Sequence, residues 1–129
     1  MALNIDTTIS SFGLRMPSSV RTLLRLAFAV VLLGVFWLAL LPAPDVVQLV
    51  SWQDNIEHAV LFAGLALLAL AAWPGRAGTI AIGLLLYGAG MEVAQSFTAH
   101  RFGDPWDWLA DAVGLLVLLP FAWRRGRAD

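Results

Sequence analysis

The residues of this chain that could do chemistry lie in two short stretches, 54–58 and 91–111. His58 follows Asp54 by four residues, which places both on one face of a helix. There the carboxylate could orient the imidazole, as in catalytic and metal sites. Asp107 and Asp111 have the same spacing. Two neighbouring carboxylates repel each other, so we expect either a shared proton or a nearby cation.

Glu92 lies in a different setting, near the predicted C-terminal end of an apolar helix. The helix dipole disfavours an acid there by up to about 1 kcal/mol. Burial of an acid in a membrane costs more, on the order of 2.5–3.5 kcal/mol at mid-helix. A carboxylate that is present despite both of these free-energy costs is expected to have a partner or a function.

The rest of the chain is apolar and must position these groups. Of its 129 residues, 60% are hydrophobic and only 13% are charged, whereas a soluble domain has about 25% charged residues. This composition is typical of a membrane protein. The absence of cysteine excludes disulfides, thiol catalysis and cysteine-bound metals. Without a basic run, the sequence gives no indication of nucleic-acid binding.

The hydropathy pattern predicts an all-α, polytopic membrane protein with four transmembrane helices in an antiparallel bundle. A helix needs about 20 mostly apolar residues to cross the bilayer, and only the first apolar run reaches that length without its charged flanks. The predicted first helix has Ser18 or Ser19 as its N-cap. A cleavable signal peptide is the alternative for this segment, although no A-x-A-like site follows. The predicted spans are 23–41, 52–73, 79–97 and 105–123.

Basic residues predict the orientation. With the N-terminus in the cytoplasm, the inner side receives seven of the eight basic residues and the outer side only Arg101, as the positive-inside rule requires. We therefore expect a multi-pass membrane protein with both termini in the cytoplasm. Residues 1–17 form a loose or interfacial arm, 18–123 the membrane domain and 124–129 a basic cytoplasmic tail.

This topology brings the polar groups of the last three helices to one level near the outer surface. Capping is an alternative explanation for Asp54, Asp104 and Asp107, because helix N-termini favour carboxylates. Capping does not explain Glu92 or Asp111, because neither lies at the predicted start of a helix. Small residues four apart predict close packing of the second and fourth helices: Ala59 and Ala63 on the second, Ala110 and Gly114 on the fourth.

The stretches DNIEHAVLF, MEVAQSF and RFGDPWDWLADAVG together resemble the VanZ-like family of small bacterial membrane proteins over about residues 54–114. Asn55 stands where that pattern usually has Lys, and Asp111 where it usually has Asn, so this site is more acidic. The family's association with teicoplanin resistance implies a role in the cell envelope. The resemblance implies signature roles for Asp54, His58, Phe62, Glu92, Gln95, Arg101, Asp104, Asp107 and Gly114.

Two functions are compatible with these residues. The first is a pocket open to the outer leaflet that binds an amphiphilic envelope ligand: a lipid, a lipid-linked precursor or a lipoglycopeptide. The second is an envelope-lipid hydrolase or transferase, whose catalytic residues would be His58, Glu92 and Asp111. No cofactor or metal is predicted, since no H-x-x-x-H motif is present, although imidazole and carboxylates could hold a divalent cation. The candidate ligand-binding residues are Asp54, His58, Glu92, Gln95, Arg101, Asp104, Asp107 and Asp111.

Overall fold

The computed structural model describes residues 16–42, 52–99 and 103–125, and those residues form helices and short connections with no strand. Within these described ranges, four helices are long and apolar enough to cross a membrane. The fourth of these spans, Pro105–Arg124, is made of two α-helices joined by a 3-10 turn. The elements are α1 (Ser18–Leu40), α2 (Gln53–Ala72), α3 (Ala77–Ser96), α4 (Pro105–Gly114), the 3-10 turn (Leu115–Leu118) and α5 (Leu119–Arg125).

The predicted spans are confirmed, since each begins and ends within five residues of its helix in the structure. Helix α1 ends at Leu40, just before Pro42, which cannot continue a helix. Gly75 lies in the turn between α2 and α3 with a φ of 77°, a conformation that glycine adopts without strain. Most of the predicted arm and tail, 1–15 and 126–129, lies outside the described residues.

The predicted helix starts differ in outcome. At α2 the cap position is Trp52, no side chain caps it, and Asp54 lies in the first turn. The prediction of a serine N-cap for α1 is wrong: the cap position is Pro17, no side chain caps it, and Ser18 already lies in the helix. Proline there fixes a backbone angle suited to the helix start. At α4 the prediction is confirmed, because Asp104 is the N-cap and its carboxylate accepts a hydrogen bond from the backbone N–H of Trp106 at 2.9 Å.

The core lies between α2, α3 and the fourth span. Its largest fully buried apolar side chains are Phe62 and Met91. Helix α1 contributes no buried residue and packs against the outside of this core. Two side chains of α3 attach it: the Tyr87 hydroxyl donates to the carbonyl of Leu32 at 2.7 Å, and the Gln95 amide donates to the carbonyl of Ala39 at 3.1 Å.

Helices α2 and α4 approach each other closely at Gly114. A Cβ atom at this glycine would overlap the carbonyl oxygen of Ala59. Only a residue without a side chain therefore fits, and the prediction of close packing at this pair is confirmed. Because Ala59 follows His58 and Gly114 lies three residues after Asp111, this contact fixes the distance between the two polar side chains.

The fourth span changes from α-helical to 3-10 geometry just before Pro120. The backbone N–H of Leu119 donates to the carbonyl of Leu116, three residues back. Proline has no N–H, and its ring collides with the carbonyl four residues earlier, which here belongs to Leu116. The span therefore tightens into a 3-10 turn over Leu115–Leu118.

Candidate functional site

The candidate site lies at the end of the bundle where α2 and α4 begin and α3 ends, which we call the polar end. His58 lies in the second turn of α2, Glu92 near the last turn of α3, and Asp107 and Asp111 in the first two turns of α4. One ligand-type atom from each of His58, Glu92 and Asp111 lies within 4.8 Å of the others. Three separate helices thus deliver their polar groups to one point.

The closest contact in the cluster joins α2 to α4. Nδ1 of His58 lies 2.8 Å from Oδ1 of Asp111, a hydrogen-bond distance at which an Nδ1–H donates to the carboxylate. The sequence suggested Asp54 for this orienting role, but the carboxylate at hydrogen-bond distance from Nδ1 of His58 is that of Asp111. Asp54 lies one turn before His58, in the first turn of α2.

The other ring nitrogen of His58 faces a second carboxylate. Its Nε2 atom lies 3.7 Å from Oδ2 of Asp107, a distance of electrostatic attraction rather than a direct hydrogen bond. The imidazole is therefore flanked by acids at both nitrogens, each from α4. This arrangement restricts the rotation of the ring and favours a positive charge on it or beside it.

Glu92 is held by a loop rather than by another side chain. Its Oε2 atom accepts a hydrogen bond from the backbone N–H of Asp104 at 2.7 Å. Gly103 makes this approach possible, since a Cβ there would lie 2.5 Å from the carbonyl oxygen of Glu92. The second carboxylate oxygen, Oε1, is buried without a hydrogen-bond partner.

Asp111 is the most deeply buried charged group among the described residues, with 0% of its surface exposed. While Oδ1 contacts His58, its Oδ2 atom is buried without a partner. Gly88 on α3 makes room for it, because a Cβ there would lie 2.7 Å from Oδ2. Buried carboxylate oxygens without partners are costly, and two of them occur in this one cluster.

The other predicted ligand-binding residues are placed as follows. Gln95 is buried and its amide contacts α1. Asp104 caps α4 with its side chain, while its backbone N–H binds Glu92. Arg101, the predicted outer cation, lies outside the described residues.

Two glycines of the site were missed by the sequence reasoning. Gly88 precedes Glu92 by four residues and therefore lies on the same face of α3, where it accommodates the carboxylate of Asp111. Gly103 precedes the N-cap of α4 and lets the chain reach Glu92. The signal for Gly88 was available in the sequence, as a missing side chain one turn from an intramembrane acid leaves space for another polar group.

A separate cavity lies toward the opposite end of the bundle. It has a volume of about 300 Å³ between α1, α2 and α3, and its walls include Phe28, Leu32 and Leu84. Arg76 and Thr79 are among its polar lining residues. The apolar walls are suited to a hydrocarbon chain, and none of the site residues of the polar end lines it.

The arrangement at the polar end can do two kinds of chemistry. A His–carboxylate pair can take up a proton as a general base, and three convergent groups with N and O ligand atoms can hold a divalent cation. No family model, curated protein or solved structure matches the chain, so these possibilities rest on the geometry of the site itself.

Proposed function

We propose that this chain is a VanZ-like protein of the bacterial cytoplasmic membrane that binds an amphiphilic cell-envelope ligand at its polar end. In this proposal the polar end faces the outer leaflet. The distribution of basic residues supports that orientation, since Arg25, Arg76 and Arg124 lie toward the opposite end. The ligand is a lipid, a lipid-linked precursor or a lipoglycopeptide.

The observation that carries the proposal is the pair of unpartnered oxygens, Oε1 of Glu92 and Oδ2 of Asp111. Each costs free energy in the unliganded protein, because a buried acceptor has lost its water without gaining a donor. A ligand with hydroxyl or amine groups supplies those donors. This argument favours sugar-bearing and amine-bearing head groups over purely anionic ones.

The position of the cluster explains why the ligand should also be apolar. The site lies near one end of helices whose outward faces carry exposed large hydrophobic side chains, among them Val60, Val93 and Leu109. A head group bound at the cluster would leave its acyl chain along such a face, within the bilayer. A link to teicoplanin-type resistance is part of this proposal, because teicoplanin carries sugars, an amine and an acyl chain.

A second candidate function is hydrolysis or group transfer on an envelope lipid, with His58 as general base. The 2.8 Å contact between His58 and Asp111 favours it, since a buried carboxylate on one ring nitrogen orients the imidazole for proton uptake at the other. In this case Glu92 would be the acid. Binding of an amphiphile is common to both functions.

One experiment tests both. The purified chain in lipid nanodiscs is incubated with teicoplanin, with phosphatidylethanolamine and with an undecaprenyl-linked sugar, and binding and new products are measured by mass spectrometry. We expect saturable binding of at least one probe. Binding should be weakened at least tenfold in Asp111→Asn, which replaces one acceptor oxygen of the carboxylate with an NH₂ group that can only donate. Glu57→Gln is the matched control, as Glu57 is an exposed neighbour of His58.

Equal binding by wild type, Asp111→Asn and the control would contradict the proposed site. A product that forms with wild type and disappears in His58→Ala, while binding persists, would establish the enzyme. Binding without any product would favour the binding protein.

A further inference from the structure

We infer that the polar end is a binding site for a divalent transition-metal cation of the zinc type, held by His58, Glu92 and Asp111. The three side chains come from α2, α3 and α4 and bring one imidazole nitrogen and two carboxylate oxygens together. The inference goes beyond amphiphile binding, because the cation can bind to the three side chains without any amphiphile present.

Distances within the cluster are close to those of a metal site. Zinc binds nitrogen and oxygen at about 2.0–2.1 Å in a tetrahedron, so its ligand atoms lie about 3.4 Å apart. The ligand atoms here lie within 4.8 Å of one another. Nδ1 of His58 is at hydrogen-bond distance from Oδ1 of Asp111, 2.8 Å, so a cation that binds Nδ1 would displace its proton. Side-chain movements of about 1 Å therefore bring all three into reach of one cation.

Unsatisfied oxygens provide an independent indication of a ligand. Asp111 has 0% and Glu92 9% of its surface exposed, and each has one oxygen without a hydrogen-bond partner. Two acids close together in a membrane repel each other and lose their hydration. A single divalent cation neutralises both and coordinates both free oxygens, which a single neutral donor group could not do.

The groups around the three ligands have the positions that metal sites use to orient ligands. A metal-binding histidine usually presents its other nitrogen to a carboxylate, and Nε2 of His58 faces Asp107 at 3.7 Å while Nδ1 lies on the Asp111 side. A metal-binding carboxylate is itself usually hydrogen-bonded. Glu92 is held through Oε2 by the backbone N–H of Asp104, which leaves Oε1 available.

Mixed nitrogen and oxygen ligands narrow the choice of cation. Imidazole suits zinc, iron and nickel, whereas Mg²⁺ and Ca²⁺ prefer sites made only of oxygen. Three protein ligands around zinc leave a fourth position open, as catalytic zinc sites do. If the proposed amphiphile also binds, its head group can occupy that position.

The test is zinc binding by the purified, untagged chain in detergent, after treatment with a chelator and without added lipid. Competition against a fluorescent zinc chelator gives the affinity, and native mass spectrometry gives the number of ions. We expect one zinc ion per chain, bound more than about 100-fold more weakly in Glu92→Gln and Asp111→Asn. Asp107→Asn removes the carboxylate that faces Nε2 of His58, and it should weaken zinc binding about 10- to 100-fold.

Two controls separate the site from folding and from adventitious binding. Glu57→Gln removes an acid next to His58 but outside the cluster, and should bind zinc as wild type does. Thermal unfolding of the metal-free variants checks the fold: each variant should still unfold cooperatively, and zinc should stabilise wild type and Glu57→Gln more than Glu92→Gln and Asp111→Asn.

The inference is overturned if wild type binds no zinc, or if Glu92→Gln and Asp111→Asn bind it as tightly as wild type. Loss of zinc binding in Glu57→Gln as severe as in Asp111→Asn would overturn it as well. Amphiphile binding is measured separately in nanodiscs, so absence of zinc binding leaves the proposed function standing, and absence of amphiphile binding leaves the zinc site standing. Zinc binding would itself satisfy the two oxygens from which the amphiphile was inferred.

Discussion

Substitution of Gly114 by alanine tests how tightly α2 and α4 pack beside the site. A Cβ at Gly114 would lie 3.0 Å from the carbonyl carbon and 3.1 Å from the Cα of Ala59, and would overlap its carbonyl oxygen. These obstacles are backbone atoms, which cannot rotate away as a side chain does. Helices α2 and α4 must therefore separate by about 1 Å to reach ordinary van der Waals contact.

The expected loss of stability follows from two opposing effects. Overpacking of a close contact costs about 1–3 kcal/mol, and alanine gains up to about 1 kcal/mol over glycine in helix propensity. We expect Gly114→Ala to lower the free energy of unfolding by about 1–2 kcal/mol. The control is Gly64→Ala on α2, where a Cβ meets no atom within 4 Å and no loss is expected.

The assay is reversible unfolding in mixed detergent and SDS micelles, followed by tryptophan fluorescence. Ala59→Gly provides a second check, because the obstacle is the main chain of Ala59 and removal of its methyl group should not restore Gly114→Ala. The reasoning would be refuted if Gly114→Ala were as stable as Gly64→Ala, or if the double variant Gly114→Ala/Ala59→Gly regained full stability.

Two further predictions concern single hydrogen bonds. Tyr87→Phe removes the 2.7 Å bond to the carbonyl of Leu32 and should cost about 0.6 kcal/mol, with about 1.7 kcal/mol as the upper bound for such bonds in membranes; a larger loss in the same unfolding assay would mean that the hydroxyl has another role. Asp104→Ala removes the N-cap of α4 and should cost about 0.5–2 kcal/mol, whereas Asp104→Asn should stay within a few tenths of wild type. Equal losses in the two Asp104 variants would contradict the capping role.

Helix positions were predictable because they depend on local sequence. The length of each apolar run, and the prolines and glycine between them, set the spans to within five residues. The cap at Asp104 followed from Asp-Pro with an acid three residues on. At α1 the serines indicated a cap, but Pro17 directly precedes them and extends the helix to Ser18.

The residues at the centre of the site were predictable, but which of them pair with each other was not. The topology required α2 and α4 to begin at the end where α3 finishes, which brings His58, Glu92 and Asp111 to one level. Spacing within one helix suggests only partners such as Asp54, four residues before His58. The contact with Asp111 depends on the rotation of α4 about its axis, which the close approach at Gly114 sets and which no local pattern reveals.

Pro120 is a case where the signal was present but its effect depended on context. A proline within a membrane span can kink the helix, leave a backbone carbonyl that binds a water, or tighten one turn. Here Leu119 takes the carbonyl of Leu116 and the turn tightens. The choice among these outcomes depends on the neighbours of Leu115 and Leu118, both of which are buried against the core.

Helix α1 is attached to α3 in part through its own main chain, since Tyr87 and Gln95 donate to the carbonyl oxygens of Leu32 and Ala39. A carbonyl is present whichever amino acid occupies the position. The outward face of α1 is thus free to change among apolar residues over evolutionary time, while its register against α3 is preserved. Divergent copies of this protein should therefore differ most in their first transmembrane segment, and an exchange of that segment's outward face should leave the remaining helices in place.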